Sequence, residues 1–295
     1  MDSIDLETFL AVVDDRSFSR AAERLHLTQP AVTKRIKRLE ESLAPPLFDR
    51  IGRRVEMTQG GRLLEPRART LLAEIADTRR LLENLRDAVS GSLHLATSHH
   101  VGLHRLAPVL KAFSDRYTDV QLDIRFEDSE AAHDLVRRGD SELAVVTLDP
   151  QGSEDLEYLP LWDDPLTFIV ARDHPLAGRD QLSLEELAGF PAILPGLATY
   201  TGRIVAELFR ARQIEISAPL STNYLETISM LTGTGLGWSL LPRSMLTEDL
   251  VPLTTDAPPQ HRTLGCVTNP ARSRSNAADA FMQILSGFGD RSLIG

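Results

Sequence analysis

The sequence of 295 residues has one cysteine and no long hydrophobic run. The single cysteine, Cys266, excludes an intramolecular disulfide and any zinc site made of several cysteines. No apolar run approaches the roughly 18 residues that a membrane-spanning helix needs. The acidic start at 1–5 is not followed by the apolar stretch of a secretory signal. These absences predict a cytoplasmic globular protein with no membrane partner.

The signatures of common enzyme classes are also missing. The sequence has no phosphate-binding P-loop, no HExxH zinc motif and no GxSxG nucleophile motif. The glycines at 233–237 differ from a dinucleotide-binding loop, because Trp238 occupies the third glycine position and no strand precedes them. His100 and His104 are spaced to offer two metal ligands from one helix face, but the sequence supplies no clear third ligand. We therefore predict no catalytic residue, no metal and no cofactor, and we interpret Cys266 as a core residue.

Acidic residues outnumber basic ones, but the charges are unevenly distributed. The net charge of the chain is −10, with a net −11 on residues 90–295 and a net +1 on residues 1–89. Within residues 20–54 there are nine basic and four acidic side chains. A basic segment on an acidic body is compatible with a DNA-binding head, although charge alone favours the simpler explanation of a solvated helix face.

The first 43 residues have the apolar spacing of three short helices. The helices are predicted near 4–14, at 18–25, and from Thr28 to about residue 43. Thr28 is a good N-cap, and Pro30 falls in the first turn, where its missing N–H costs little. Two short helices joined by a tight turn, the second with polar and basic residues near its start, are typical of a helix-turn-helix. The same apolar spacing could also occur in any three-helix domain.

The second helix of such a motif enters the major groove with its N-terminal residues first. Gln29 could therefore read a base edge, and Ala31 or Thr33 could contact a thymine methyl group. Two extended segments at 47–58, with a basic tip, are predicted to form a β-hairpin wing that reaches a minor groove or phosphates. The basic residues assigned to DNA are Lys34, Arg35 and Arg38 on the helix and Arg53 and Arg54 at the wing tip.

These segments together resemble the winged helix-turn-helix of the LysR-type transcriptional regulators. The resemblance covers about 58 residues in the runs FSRAAERL at 18–25, TQPAVT at 28–33, IKRLE at 36–40, LFDR at 47–50, and Thr58. One departure is Ala44-Pro45, where family members usually carry a glycine that ends the helix in left-handed geometry. The DNA contacts that the resemblance implies fall on Gln29, Pro30, Ala31, Thr33, Lys34 and Arg53.

The resemblance also implies the remaining architecture, which is α/β. We expect three parts in order along the chain. A winged helix-turn-helix is followed by a long dimerising linker helix, and then by a two-lobed effector-binding domain resembling periplasmic binding proteins. Because family members are usually tetrameric, a homodimer or homotetramer is expected, and RNA polymerase is left open as a further partner. The implied boundaries are 1–58 for the head, 59–89 for the linker and 90–295 for the effector-binding domain. Within that domain, lobe I takes about 90–162 together with 264–295, and lobe II takes about 163–263.

The linker segment carries a heptad pattern of its own. From Leu64 to Val89, apolar or small residues and one threonine recur at alternating steps of four and three. A lone helix of this length would be marginal in water, so we expect the seam to pair with a second copy of the chain. Packing of the helix on its own domain is the alternative. The predicted dimerisation residues are Leu64, Leu71, Ile75, Leu82 and Leu85.

Beyond residue 90 the sequence alternates strands and helices. The β-α-β-α-β order of residues 93–147 predicts right-handed crossovers and a parallel sheet. The predicted strands are 93–96, 120–126, 143–147, 166–171, 192–194, 214–220, 236–240 and 264–267, and the predicted helices are 103–113, 129–139, 202–212, 225–232 and 277–288.

Polar residues follow several of these strands or precede helices, where ligands of open α/β sheets bind. Helix N-termini favour anions, so a small carboxylate is the expected effector. Each hydroxyl or amide could instead be only a helix cap. His100 could pair with a carboxylate as an imidazolium, or could lie in an exposed loop. The predicted effector-binding residues, whose convergence is implied by the resemblance, are Thr97, Ser98, His99, His100, Asp128, Ser129, Thr147, Thr199, Tyr200, Thr201, Thr222 and Asn223.

The function predicted from the sequence is regulation of transcription. The head binds double-stranded operator DNA, and a small-molecule effector binds in the cleft between two lobes. The effector controls the head because it binds two arrangements of the protein with different affinities. A solute-binding module whose head only mediates association is the alternative. An enzyme would require turnover of the bound ligand.

Overall fold

The computed structural model describes residues 1–51, 54–85 and 88–290. The chain divides into two compact units, Met1–Leu85 and Arg86–Gly295. The first unit is mainly helical, and the second is built around one large sheet. Across the described ranges, no helix is both long and apolar enough to cross a lipid bilayer.

The unit Met1–Leu85 contains the predicted helix-turn-helix and wing. Its elements are α1 (Ser3–Asp15), α2 (Phe18–Arg24), α3 (Gln29–Leu43), β1 (Phe48–Ile51), β2 (Arg54–Met57) and α4 (Gln59–Asn84). The side chains of Asp2, Ser17 and Thr28 cap the first three helices by accepting a backbone N–H three residues further on. Such caps satisfy N–H groups that have no partner inside the helix, which explains why each helix begins where it does.

The end of α3 keeps a left-handed turn without the glycine that the family usually has there. Ala44 has a φ of 76°, and its N–H donates to the carbonyl oxygen of Glu40 at 2.9 Å. The Glu40 carboxylate also accepts the N–H of Leu47 at 2.8 Å, which fixes the chain after the turn. The turn after α3 therefore places an alanine at a positive φ, where the resemblance implied a glycine.

The core of this unit joins the head to the first turns of the long helix. Phe9, Val32 and Leu39 are fully buried, and Ala68 of α4 is buried in the same cluster. Leu64 also packs against this cluster. The predicted linker helix is present, but it ends at Asn84 rather than at residue 89.

The unit Arg86–Gly295 contains, among its described residues, a sheet of seven strands and a separate pair. The strands are β3 (Gly91–Thr97), β4 (Val120–Phe126), β5 (Leu143–Thr147), β6 (Glu157–Ala171), β7 (Ile193–Leu194), β8 (Leu220–Ser221), β9 (Ser239–Pro242), β10 (Leu250–Leu253) and β11 (Gln260–Thr268). The sheet order is β10-β6-β11-β5-β3-β4, with β9 also paired to β6, while β7 pairs with β8. The pairs β3–β4 and β3–β5 are parallel, as predicted, whereas β11 is antiparallel to both β5 and β6.

Helices cover the sheet and begin at its strand ends. They are α5 (His99–Val101), which continues through a π-helical turn (Gly102–Leu106) into α6 (Ala107–Arg116), then α7 (Ser129–Arg138), α8 (Leu184–Ala188), α9 (Tyr200–Arg210), α10 (Leu225–Gly233), a 3-10 turn (Arg243–Met245) and α11 (Asn276–Ser286). The helix predicted at 103–113 therefore begins four residues earlier, at His99.

Several predicted strands differ from the structure in their limits, and two of them differ most. The strand predicted at 166–171 begins at Glu157 and has 15 residues. The strand predicted at 214–220 is wrong, because only Leu220 and Ser221 pair with another strand. Ile214 and Ile216 pack against a buried cluster from an irregular segment, so their alternating pattern reflects burial of side chains rather than a ladder of hydrogen bonds.

Two groups of buried side chains define two lobes in this unit. Lobe I surrounds Leu93, Phe113 and Phe281, and lobe II surrounds Phe209 and Trp238. The long strand β6 supplies Trp162 to the first core and Phe168 to the second, so it runs from one lobe into the other. The residue limits given above for the lobes remain predictions.

Candidate functional site

A polar cleft lies where the ends of β3, β4 and β5 meet the starts of α9 and α10. Its volume is about 180 Å³. Ten of the twelve predicted effector residues line it, namely Ser98, His99, His100, Asp128, Ser129, Thr147, Thr199, Tyr200, Thr201 and Asn223. The topology therefore brings together residues up to 125 positions apart in the sequence, although their binding role stays a prediction.

The two other predicted residues do not line the cleft. Thr97 is buried, and its hydroxyl donates to the carbonyl oxygen of Val145 at 2.7 Å. The Thr222 hydroxyl accepts the N–H of Tyr224 at 3.4 Å. Both hydroxyls thus have local structural partners.

Thr199 caps the start of α9, which is one of the two roles that the sequence allowed for it. Its hydroxyl accepts the N–H of Gly202 at 3.0 Å and donates to the carbonyl oxygen of Gly196 at 2.7 Å. A Cβ atom at Gly202 would lie 2.1 Å from that carbonyl oxygen, so only glycine lets the helix start approach the turn so closely. The N-terminus of α9 is thereby fixed at the edge of the cleft.

Arg262 is a buried cation in the cleft wall that the sequence analysis missed. It lies on β11, opposite Asp164 of β6 in the ladder. Its Nε donates to Asp164 Oδ2 at 2.8 Å and its Nη1 to Thr201 Oγ1 at 2.9 Å. Its Nη2 is buried and has no hydrogen-bond partner among the described residues. The wall of the cleft therefore contains a guanidinium group with one hydrogen-bond donor that the described protein groups do not satisfy.

Carboxylates form the opposite side of the cleft. Glu127, Asp128 and Glu130 line it around the start of α7. The Glu130 carboxylate accepts the N–H of Tyr200 at the start of α9. The amide nitrogen of Asn223 donates to Asp128 Oδ2 at 2.6 Å. These two hydrogen bonds connect lobe I to lobe II across the cleft.

The two adjacent histidines differ in environment. His99 is exposed, and its ring meets that of Tyr224 edge-on at 5.4 Å. His100 is buried, and its Nδ1 lies 3.2 Å from Glu226 Oε1. Burial lowers the pKa of His100, which favours a neutral imidazole that donates to the carboxylate. The hydrogen bond from His100 lowers the pKa of Glu226 to about 2. The exposed-loop interpretation of His100 is therefore wrong, and an imidazolium is not favoured there.

On the head, the start of α3 presents uncharged polar groups and one lysine. Gln29, Pro30 and Lys34 are exposed. Ala31 and Thr33 are half-buried, and Gln29 Nε2 donates to the Thr33 hydroxyl at 3.1 Å. This bond holds the Gln29 amide along the helix, in a position from which it can turn outward to a base.

The two arginines of α3 are directed towards α1 instead. Arg38 Nε donates to Asp5 Oδ2 at 3.1 Å, and its Nη2 lies 3.1 Å from Asp2 Oδ2. Arg35 Nη1 donates to the hydroxyl of Thr8 at 3.4 Å. Since both guanidinium groups already join α3 to α1, their assignment to DNA is weaker than that of Lys34.

Two family models together cover most of the chain. Residues 4–62 match the bacterial regulatory helix-turn-helix protein, lysR family, and residues 86–288 match the LysR substrate binding domain. The chain belongs to the LysR family of transcriptional regulators. Its function is therefore DNA-binding regulation of transcription, and its second unit is of the substrate-binding type.

Similar proteins are found over about a third of the chain and over nearly its whole length. The regulator is 59% identical over 108 residues, 37% of its length and 75% of the relative, to an HTH-type transcriptional regulator of Azotobacter vinelandii. It is 29% identical to the RuBisCO operon transcriptional regulator of Allochromatium vinosum, with 95% and 94% of the chains covered. The structure of the Synechocystis CcmR regulatory domain in complex with 2-PG covers 68% of the regulator and 99% of that chain, with a TM-score of 0.62 and 23% identity.

Some residues of the heptad seam pack in the core of the unit Met1–Leu85, and others are exposed. Leu64 packs in the core of the head. Leu71 and Ile75 are 42% and 38% exposed, and Leu82 and Leu85 are 62% and 78% exposed. Four large apolar residues on one stripe of α4 therefore lack cover within Met1–Leu85.

The wing residues fall at the limit of the described structure. Arg53 lies outside the described residues. The backbone of Arg54 begins β2, which pairs with β1 in register Ile51 to Arg54. The β-hairpin of the wing is thus present, and the DNA contacts of both arginines stay predictions.

Proposed function

We propose that this regulator binds operator DNA through the start of α3 and the wing, and binds a small hydroxylated carboxylate in the cleft. The proposal of a carboxylate effector rests on the Nη2 group of Arg262, which has no hydrogen-bond partner among the described residues. A buried donor without a partner costs about 1–3 kcal/mol, and an anion that accepts from it recovers this cost. A hydrogen bond from a guanidinium to a carboxylate is also about twice as strong as one between neutral groups.

The other wall of the cleft indicates the rest of the effector. Glu127, Asp128 and Glu130 are acceptors when ionised, so they suit hydroxyl groups and would repel a second carboxylate placed beside them. The effector therefore carries its charge on the side of Arg262 and hydroxyl groups on the side of α7. The small volume of the cleft fits a metabolite of few carbon atoms.

Effector binding would act through the contacts between the lobes. A ligand that donates to Asp128 or Glu130 competes with Asn223 and with the N–H of Tyr200, which join the lobes across the cleft. The ligand then shifts the equilibrium between two arrangements of the lobes, to an extent set by the ratio of its affinities for them. We propose that this difference changes operator binding or activation of transcription.

We further propose that the regulator assembles through α4 as a homodimer or a homotetramer. The exposed residues Leu71, Ile75, Leu82 and Leu85 would form the helix–helix seam. We place the protein in the cytoplasm with the operator DNA, with RNA polymerase open as a further partner, and we assign it no catalytic activity because its relatives are regulators.

The carboxylate is tested by a thermal-shift screen of small hydroxycarboxylates, each compared with its neutral amide. A ligand at 100 times its Kd should raise the free energy of unfolding by about 2.7 kcal/mol. We expect the carboxylates to stabilise the protein and their amides to have no effect, because only the anion satisfies the guanidinium. Equal stabilisation by both members of a pair would contradict the proposal.

The DNA-binding face is tested by Lys34→Ala in gel-shift assays at several salt concentrations. Removing one phosphate contact should weaken binding and lower the slope of log K against log salt by about 1. Lys111→Ala is the matched control, because Lys111 is an exposed lysine of the other unit that pairs with Asp115 at 2.8 Å. An unchanged slope in Lys34→Ala would remove this residue from the interface.

A further inference from the structure

Two histidines and a glutamate meet between the lobes, beside the cleft. His100 of α5 and His104 of the π-helical turn belong to lobe I, and Glu226 lies in the first turn of α10. His100 Nδ1 and His104 Nε2 are each 3.2 Å from the same oxygen, Glu226 Oε1. The ring centres of the two histidines are 4.6 Å apart.

The local backbone sets this arrangement. Residues four apart share one side of a helix. His100 lies in α5, and His104 lies within the π-helical turn Gly102–Leu106 that follows it. Single π-helical turns recur at functional sites because they change the direction of side chains within a helix. The sequence analysis had found the histidine pair without a third ligand, and the fold supplies that ligand 122 residues away.

A second observation indicates that the two hydrogen bonds leave part of the Glu226 carboxylate unsatisfied. The other carboxylate oxygen, Glu226 Oε2, is buried and has no hydrogen-bond partner among the described residues. A buried acceptor of an ionised carboxylate without a donor is unfavourable. A cation bound between the three side chains would neutralise that oxygen.

The distances fit a small transition-metal ion. Ligands held tetrahedrally about 2.0–2.1 Å from zinc lie roughly 3.3 Å from each other, close to the two observed distances of 3.2 Å. All three ligand atoms lie within 4.8 Å of one another. Imidazole nitrogen favours zinc and its neighbours over magnesium and calcium, which prefer oxygen.

The surroundings leave room for a fourth ligand. His104 and Glu226 line a second cavity, of about 580 Å³, together with Asp249 and Met245. His100 lines the effector cleft on the other side. The cluster therefore forms part of the wall between two cavities, and a water molecule or a small ligand can reach it from the open side.

We propose that His100, His104 and Glu226 bind a divalent transition metal, Zn²⁺ in the first place, with a fourth position open to solvent. The ion would join the segment after β3 in lobe I to α10 in lobe II. Because it would then stabilise one arrangement of the lobes, its affinity and that of any ligand in the cleft would be coupled reciprocally. This site does not depend on the identity of the effector or on the proposed DNA contacts.

The test is calorimetric titration of the full chain, freed of metal by a chelator, with ZnCl₂ alone. We expect one ion per chain and no binding of Mg²⁺ under the same conditions. His104→Gln and Glu226→Gln should each lower the zinc affinity at least tenfold. Titration with Co²⁺ should give the visible absorption of a tetrahedral site, which a merely structural role of the cluster would not produce.

The matched control is His94→Gln. His94 pairs with Asp123 at 2.8 Å on the surface of the same unit, so it reports zinc bound adventitiously by an exposed histidine and carboxylate. We expect this variant to bind zinc as the unaltered protein does. Failure of the unaltered protein to bind Zn²⁺, or equal losses in His94→Gln and His104→Gln, would overturn the proposal.

Discussion

Arg262→Met is expected to weaken effector binding and to destabilise the unit Arg86–Gly295. The side chains of Arg262 and Asp164 are only 5% and 2% exposed. The substitution removes the hydrogen-bonded cation of a buried carboxylate and leaves it only Arg105 Nη2, which lies 3.8 Å from Asp164 Oδ1. Breaking a buried ion pair in this way costs about 3–5 kcal/mol. The hydrogen bonds lost to the ligand should cost a further 1.5–3 kcal/mol of binding energy, roughly, which corresponds to about 10- to 150-fold in affinity.

A double variant separates the loss of folding from the loss of binding. Replacing a buried ion pair by apolar residues of similar size is often neutral or stabilising, so Arg262→Met combined with Asp164→Leu should recover most of the stability. It should not recover effector binding, because the guanidinium is still missing. Chemical denaturation and calorimetry with the best carboxylate measure the two effects. Binding by the double variant with the affinity of the unaltered protein would place the anion elsewhere.

Ile75→Asp and Leu71→Asp are expected to dissociate the assembly. Each substitution places a carboxylate in the proposed seam of α4, and burying an unpaired charge costs several kcal/mol, roughly, in each copy of the chain. The variants should have a lower mass in light scattering. Operator affinity should fall in parallel, because the two heads of a dimer bind together.

Leu63→Asp is the control for this experiment. Leu63 lies on the same helix and is 73% exposed, but it is outside the heptad seam. The control should keep its mass and its operator affinity. If Ile75→Asp also kept both, the exposed stripe on α4 would not be an interface.

Much of the head could be predicted from the sequence because its structure is set locally. Helix α3 begins at Gln29 immediately after its cap Thr28, and it ends at Leu43, where its apolar spacing ends. The strands β4 and β5 were likewise predicted at their observed limits, since each is a short alternating or buried run.

Pairing between distant residues could not be predicted in the same way. Arg262 and Asp164 are opposite each other only because β11 pairs with the first ten residues of β6, and both strands were predicted too short. Glu226 meets His104 only once lobe II is folded against lobe I. Arg35 and Arg38 look like DNA ligands on a helical wheel, but the position of α1 gives them protein partners.

The position of β11 in the sheet has a consequence for biosynthesis. This strand is synthesised well after β5 and β6, yet it lies between them and hydrogen-bonds to both. Until it emerges, the short strand β5 and the long strand β6 each present an open edge, and such edges readily recruit strands of other chains. The helical head has no such dependence, because all its elements are contiguous in the first 85 residues. A nascent chain stalled before residue 260 should therefore carry a folded head and an aggregation-prone remainder.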